Sequence, residues 1–205
     1  MKDFWNERYA EKDYVYGKAP NKYFKNKIGE IAPGKILFPA EGEGRNAVYA
    51  SSKDWEVSAF DISEKGKEKA LKLSEEEGVK IDYKVGRLPE LGYKKEQFDV
   101  IALIFAHFSP EDKQNYIEEF KSLLKPDGVV IFEAFSKEQI DIQKENPQSG
   151  GPKNAEMLFS KEELQTIFGG YKFEEFEDRI TELSEGKYHQ GKAAVIRFVA
   201  KKPII

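Results

Sequence analysis

Cysteine is absent from the 205 residues, and histidine occurs only twice, at His107 and His189. The first absence excludes disulfides, thiolate metal sites and a cysteine nucleophile. The second leaves too few imidazoles for a histidine-rich centre, so no metal is expected. No apolar run approaches the length of a membrane span, and the N-terminal stretch is charged, without an apolar leader core. The expectation is a soluble, cytoplasmic protein with no membrane partner. Charge of one sign is lacking too: Lys and Arg total 33, Asp and Glu 37, for a net charge of −4 at pH 7. Such a chain has no global field that draws in nucleic acid. Its lysines are interleaved with glutamates, which reads as a solvated surface.

Aromatic residues are plentiful, with 15 Phe, 10 Tyr and 2 Trp. The length suffices for one domain with a sizeable core. That domain is taken as residues 1–205, with 1–32 an N-terminal helical cover and 33–205 a sheet core. The organising stretch runs from Lys35 to Ala50. Ile36-Leu37-Phe38 reads as a strand buried on both faces. Gly42 and Gly44 mark a tight turn where side chains would block a close backbone approach, and Asn46-Ala47-Val48-Tyr49-Ala50 starts a helix. Strand, glycine turn and helix together offer unpaired backbone N–H groups to an anionic or polar cofactor tail. Trp55–Asp61 reads as a second strand with an acidic end. An acid about 20 positions past such a turn is where a ribose diol is held. Gly42-x-Gly44-x-x-Ala47 fits a dinucleotide fingerprint. Ala40-x-Gly42-x-Gly44 fits the turn of S-adenosylmethionine (SAM) enzymes, with Ala in the first place. Both cofactor classes stand at this point.

Asp3–Glu11 has helical spacing of Phe4, Trp5, Arg8 and Tyr9. Pro20 suits the first turn of a second helix, Asn21–Ile31. Ser63 caps a helix through Glu77. Ile81–Val85 is a third strand and Phe98–Phe105 a buried fourth. Ser109-Pro110-Glu111-Asp112 is a helix start with cap, N1 proline and acidic first turn. Lys125–Gly128 ends that helix, and Val129–Phe135 is a fifth strand. Lys137–Lys144 has helical character. Glu145–Asn154 lacks periodicity and reads as a lid or as disorder. Ser160-x-x-Glu163 is a capping box. Tyr171–Leu183 and Lys192–Ala200 are the last strands, joined by a hairpin turn over Ser184–Gly191. Five βα units and a terminal hairpin imply an α/β fold: a doubly wound, seven-stranded, mostly parallel sheet with one antiparallel strand.

Six words carry a family resemblance: Phe4-Trp5-Asn-Glu-Arg8-Tyr9, Tyr16-Gly17-x-x-Pro20-Asn21, Gly42-Glu-Gly44-Arg45-Asn46-Ala47, Val57-x-Ala59-x-Asp61-x-Ser63, Phe98-Asp99-Val100-Ile101 and Leu124-Lys-Pro-x-Gly128. Over nearly its whole length the chain resembles class I SAM-dependent methyltransferases, with their Rossmann-like fold. Within them it is similar to the small bacterial tellurite-resistance and thiol methyltransferase-like group. The resemblance implies SAM as cofactor, S-adenosyl-L-homocysteine (SAH) as product and a small-molecule methyl acceptor, in a monomer or homodimer. It departs from the pattern where Phe38 replaces the usual acid and Ala40 the first glycine.

The same resemblance assigns roles along the chain. The backbone of Ala40–Gly44 approaches the methionine half of the cofactor, and Glu41 takes over as the acid near its ammonium. Asp61 accepts from both ribose hydroxyls. Ile62 and Leu88 sandwich the adenine, beside Gly86 and Arg87. Arg45 either pairs with the cofactor carboxylate or is a surface helix charge. Ile104 and Phe105 leave the fourth strand at the ligand-binding edge, Phe105 facing the sulfonium. Trp5, Tyr9 and Tyr16 form an aromatic cover, while Phe4 and Phe24 pack in the core. His107 either touches a ligand or flanks a helix. His189, on the hairpin with Glu185 and Tyr188, either reaches the substrate or is an exposed loop residue. His107, His189, Tyr16 and Glu133 are the candidate bases. With none singled out, a thiol or other soft acceptor is favoured, since it needs little base. An NAD(P)-dependent oxidoreductase and a catalytically silent SAM-binding module are the competing readings.

Overall fold

Ile36–Phe38 and Val100–Ile104, at the centre of the sheet, are apolar at every position, because both faces of these strands are covered. In a strand, alternate side chains point to opposite faces. Ile36 and Phe38 therefore pack on one side with Phe24, Ala47, Val100 and Ile131. Leu37 packs on the other with Ile101, Leu103, Phe120 and Phe132. The computed structural model describes residues 1–204.

The elements run α1 (Lys2–Tyr9), α2 (Lys22–Ile28), β1 (Lys35–Pro39), α3 (Arg45–Ser51), β2 (Glu56–Asp61), α4 (Glu64–Glu76), β3 (Asp82–Val85), β4 (Phe98–Ile104), α5 (Pro110–Leu123), β5 (Leu124–Phe135), α6 (Gln139–Glu145), α7 (Lys161–Ile167), β6 (Lys172–Glu185) and β7 (His189–Lys201). One seven-stranded sheet has the order β3-β2-β1-β4-β5-β7-β6. β1 to β5 pair in parallel. β7 is antiparallel to both β5 and β6. This is the mostly parallel α/β sheet with a C-terminal antiparallel hairpin that the pattern predicts.

Several local expectations shift. Pro20 precedes the α2 cap, which is Asn21 accepting from Phe24 N–H, so the helix starts a residue later. α1 stops at Tyr9. Between β3 and β4 there is only a 3-10 turn, Leu88–Glu90, and no α-helix. Lys125–Gly128 lies inside the span of β5 rather than before it. The hairpin turn is three residues, 186–188, and both flanking strands are longer than predicted. Low strand propensity at Ser184-Glu185 and His189-Gln-Gly191 yields to a long cross-strand ladder. The 145–154 stretch is pinned: Asn146 donates to the Gln190 carbonyl and Gln143 to the Gly150 and Pro152 carbonyls.

Candidate functional site

Ligand sites in open α/β sheets form at the carboxyl ends of the strands, where strand order reverses. Here the reversal lies between β1 and β4. The loops leaving those strands enclose a cavity of about 1250 Å³. Ala40 after β1 and Phe105 after β4 have φ of 50° and 51°. Left-handed backbone at a non-glycine residue is costly and concentrates at ligand sites. Both residues line the cavity.

Two carboxylates hold the glycine turn. Asp61, at the end of β2, is buried; its Oδ2 accepts from Gly42 N–H at 3.0 Å and its Oδ1 from Ser63 N–H at 2.9 Å. An ionised carboxylate has about four acceptor positions. Each Asp61 oxygen thus keeps one for a ligand in the cavity it lines. Burial pushes its carboxyl up to about 6, against the opposing pull of the Ser63 and Gly42 amides. Glu41 Oε1 accepts from Asn46 N–H and Ala47 N–H, both at 2.8 Å. Burial raises its carboxyl to about 7, although the Ala47 amide and the Arg45 charge favour ionisation.

This arrangement corrects the expectation of unpaired N–H groups at the start of α3. Glu41 already occupies them, and Gly44 N–H donates to the Glu41 carbonyl. The glycines are needed for a different reason. A Cβ on Gly42 would sit 2.5 Å from Tyr9 Oη, and one on Gly44 2.6 Å from Ala70 Cβ. The close approach is by the protein's own cover and by α4. Gly42, Gly44 and Leu88 do not line the cavity, and Leu88 packs in the core instead.

The remaining sequence-predicted residues do converge. Trp5, Tyr9, Tyr16, Ala40, Glu41, Arg45, Asp61, Ile62, Gly86, Arg87, Ile104, Phe105, His107 and His189 all line the cavity. The Trp5 and Tyr9 rings stack at 5.3 Å, and Tyr9 meets Tyr16 edge-on at 6.5 Å. Phe4 is not core: it is 50% exposed, edge-on to Trp5, with the Arg8 guanidinium 4.6 Å from its ring. Phe24 is fully buried.

His107 uses both ring nitrogens. Nδ1 donates to the Met157 carbonyl at 3.0 Å and Nε2 accepts from Phe135 N–H at 3.4 Å. Burial lowers its pKa to about 4, so it stays neutral. His189 is buried rather than exposed in a loop, with its Nδ1 3.3 Å from Glu185 Oε2. The Tyr16 and Phe105 rings pack against it at 4.6 and 4.5 Å. Burial lowers its pKa, opposed by the Glu185 contact. Tyr16 accepts from Arg8 at its hydroxyl.

Arg45 is neither a surface charge nor free. Its guanidinium meets Glu185 Oε2 at 2.8 Å, both groups buried. Asn21 donates to Glu185 and to Glu133, and Glu133 pairs with Arg197. Glu133 is therefore a structural carboxylate away from the main cavity. Burial pushes the Glu185 carboxyl up, yet the His189 hydrogen bond and the Arg45 charge outweigh it and hold it at about 2. Glu43, not singled out by sequence, accepts from Val15 and Tyr16 N–H and pairs with Lys69. It ties the segment carrying Tyr16 to the glycine turn. The visible signal for such a network was a glutamate, Glu133, inside an otherwise apolar strand.

Known proteins resemble the chain in part of its sequence and in its fold. Residues 36–128, a little under half of the chain, match the family model described as Methyltransferase domain. A curated relative, the ubiquinone biosynthesis O-methyltransferase of Actinobacillus pleuropneumoniae serotype 5b (strain L20), is 28% identical over 130 residues, 61% of this chain and 52% of its own. The chain spans about half the length of the curated relatives it matches. Among solved structures, one concerned with converting a disulfide bond into a thioacetal group during echinomycin biosynthesis superposes with TM-score 0.78 at 16% identity, covering 99% of this chain and 92% of that one. TehB from Haemophilus influenzae gives TM-score 0.72 at 18% identity, with coverages of 98% and 66%. Magnesium protoporphyrin IX methyltransferase from Synechocystis PCC 6803, with bound SAH, gives 0.70 at 15%, with coverages of 98% and 97%. These likenesses show the fold. No helix among the described residues is long and apolar enough to cross a membrane.

Proposed function

We propose that the protein is a SAM-dependent methyltransferase acting on a small-molecule acceptor, with residues 1–205 working as one domain under the cover of residues 1–32. One observation carries the reading: Asp61 is buried in the cavity wall with an acceptor position left on each oxygen. That suits a ribose diol. Ile62, Gly86 and Arg87 would hold the adenine side, Glu41 the methionine ammonium, and Trp5, Tyr9 and Tyr16 the sulfonium, where cation–π attraction contributes ~1–2 kcal/mol when desolvated. The bound cofactor supplies an electrophilic methyl group on that sulfonium. The chain's own residues align the acceptor and exclude water, which such a displacement chiefly requires.

The oxidoreductase reading fits less well. A dinucleotide places its pyrophosphate on exposed amides at a helix N-terminus. At α3 those amides are taken by the Glu41 carboxylate, which also repels phosphate. The thiol preference rested on the want of a placed base, and the buried His189–Glu185 pair removes that premise. Calorimetry tests the proposal: SAM and SAH bind with micromolar-class affinity and NADH does not. Binding of NADH alone sinks it, and SAM binding without turnover on any acceptor favours a silent module.

A pH dependence follows from Asp61. Its carboxyl, at about 6 in the ligand-free protein, is protonated below that value and loses acceptor capacity. SAH affinity is expected to fall about tenfold per pH unit below pH 6. The folded value lies above the unfolded one, so ionisation between about pH 4 and pH 6 costs the ligand-free protein stability. Titrating the SAH affinity from pH 8 to pH 5 checks this, and a flat profile contradicts it.

A further inference from the structure

We infer that His189, oriented by Glu185, is the general base for an aromatic hydroxyl acceptor. The inference rests on the methyltransferase reading above and adds to it the substrate class. Three observations support it. First, the His189 imidazole lines the same cavity as Asp61, but from β7, on the far side of the β1/β4 reversal from β2. The cofactor side and the acceptor side are thus separated along the sheet edge.

Second, the imidazole is oriented and half-used. Its Nδ1 faces Glu185 Oε2 at 3.3 Å, and that carboxylate is fixed by Arg45 at 2.8 Å and by Asn21 at 3.0 Å. A carboxylate only accepts, so Nδ1 carries the proton and Nε2 the lone pair. Among the described residues no group hydrogen-bonds to Nε2. The Gly150 backbone packs closely on the Cδ2 edge, where an added Cβ would lie 2.7 Å from Cδ2 and 3.3 Å from Nε2, so a side chain at that position would crowd the lone pair. His107, the other histidine in the cavity wall, has both nitrogens engaged and offers no such lone pair.

Third, the walls beside His189 are flat and apolar. The Phe105, Tyr16 and Phe135 rings lie 4.5, 4.6 and 5.3 Å from the imidazole. An aromatic ring stacks well in such surroundings. The chemistry selects the nucleophile. A thiol, with a pKa of about 8.5, ionises without much help, whereas a phenol at about 10 needs a base. An aligned imidazole matches the phenol. In the reaction the acceptor oxygen bonds to the methyl carbon, and the carbon–sulfur bond breaks with its electron pair left on sulfur. The hydroxyl proton passes to His189 Nε2. The products are the methyl ether, neutral SAH and an imidazolium beside Glu185.

The full chain is assayed with SAM against catechol and phenol as hydroxyl probes and dithiothreitol as the thiol probe. The expected result is transfer to a hydroxyl probe. His189→Gln should then lower kcat for that probe about 100-fold or more, with KM within a few-fold. SAH affinity reports whether the variant is folded. His189→Ala supplies a second readout: added imidazole restores part of the hydroxyl rate, which a merely structural histidine would not permit. Transfer to the thiol alone, SAH binding with transfer to no probe, or an unchanged kcat in His189→Gln overturns the inference while leaving the methyltransferase reading intact. Failure of the wild-type chain to bind SAH overturns both.

Discussion

Asp61→Ala is expected to weaken SAH binding about 100-fold. Two hydrogen bonds from a diol to a carboxylate contribute roughly 1.5 kcal/mol each, and about 3 kcal/mol corresponds to that factor. The substitution also removes the partner of Gly42 N–H and Ser63 N–H. A thermal melt on the same sample separates a loosened turn from a lost ligand contact. Asp61→Asn sharpens the result. Its amide oxygen keeps one acceptor while its NH₂ group faces a second donor, so its affinity should fall between those of wild type and Asp61→Ala. Calorimetry showing wild-type affinity in both variants would mean that the diol is held elsewhere.

Gly44→Ala is expected to lower the melting temperature by about 10 °C. Gly44 has φ of +87°, and an added Cβ meets Ala70 Cβ at 2.6 Å and Ala70 Cα at 2.8 Å. Neither neighbour is the end of a flexible side chain, so α4 must move away from α3. Left-handed strain and overpacking together cost on the order of 3 kcal/mol, and in a chain of this size each kcal/mol shifts the midpoint by about 2–4 °C. Gly170→Ala is the control, with φ of +88° and nothing within 4 Å of the added Cβ. It carries strain alone and should shift by about a third as much. Equal shifts in the two variants would show that the α3–α4 contact is not what demands glycine.

The parts legible in the sequence were those written in local patterns. Phe98–Phe105 and Val129–Phe135 announced themselves because strands covered on both faces have no polar alternation. Asp61 was legible from its distance to the glycine turn, and the terminal hairpin from its turn residues. The parts that escaped are pairings between residues far apart in the chain. Asn21, Arg45, Glu133 and Glu185 come from four elements, and apart from Glu133, set in an apolar run, nothing local distinguishes them from solvated polar residues. The burial of His189 escaped because the hairpin turn is only 186–188, which draws His189 into β7. The glycine turn was legible as a turn, but the neighbour that demands glycine at Gly44 is Ala70, on α4, which no reading of the turn itself reveals.

The sheet order has a consequence for synthesis. β7 lies between β5 and β6, so β6 emerges from the ribosome before the only strand it pairs with exists. Until His189–Lys201 is added, β5 keeps an open edge, and the Tyr16 segment has no hairpin to rest on, since Lys187 N–H donates to the Val15 carbonyl. Arg45 and Asn21 face a gap in place of Glu185. While residues 136–188 are being added, the nascent chain therefore carries an exposed sheet edge and an unfinished ligand chamber, a state in which a holdase chaperone has something to grip.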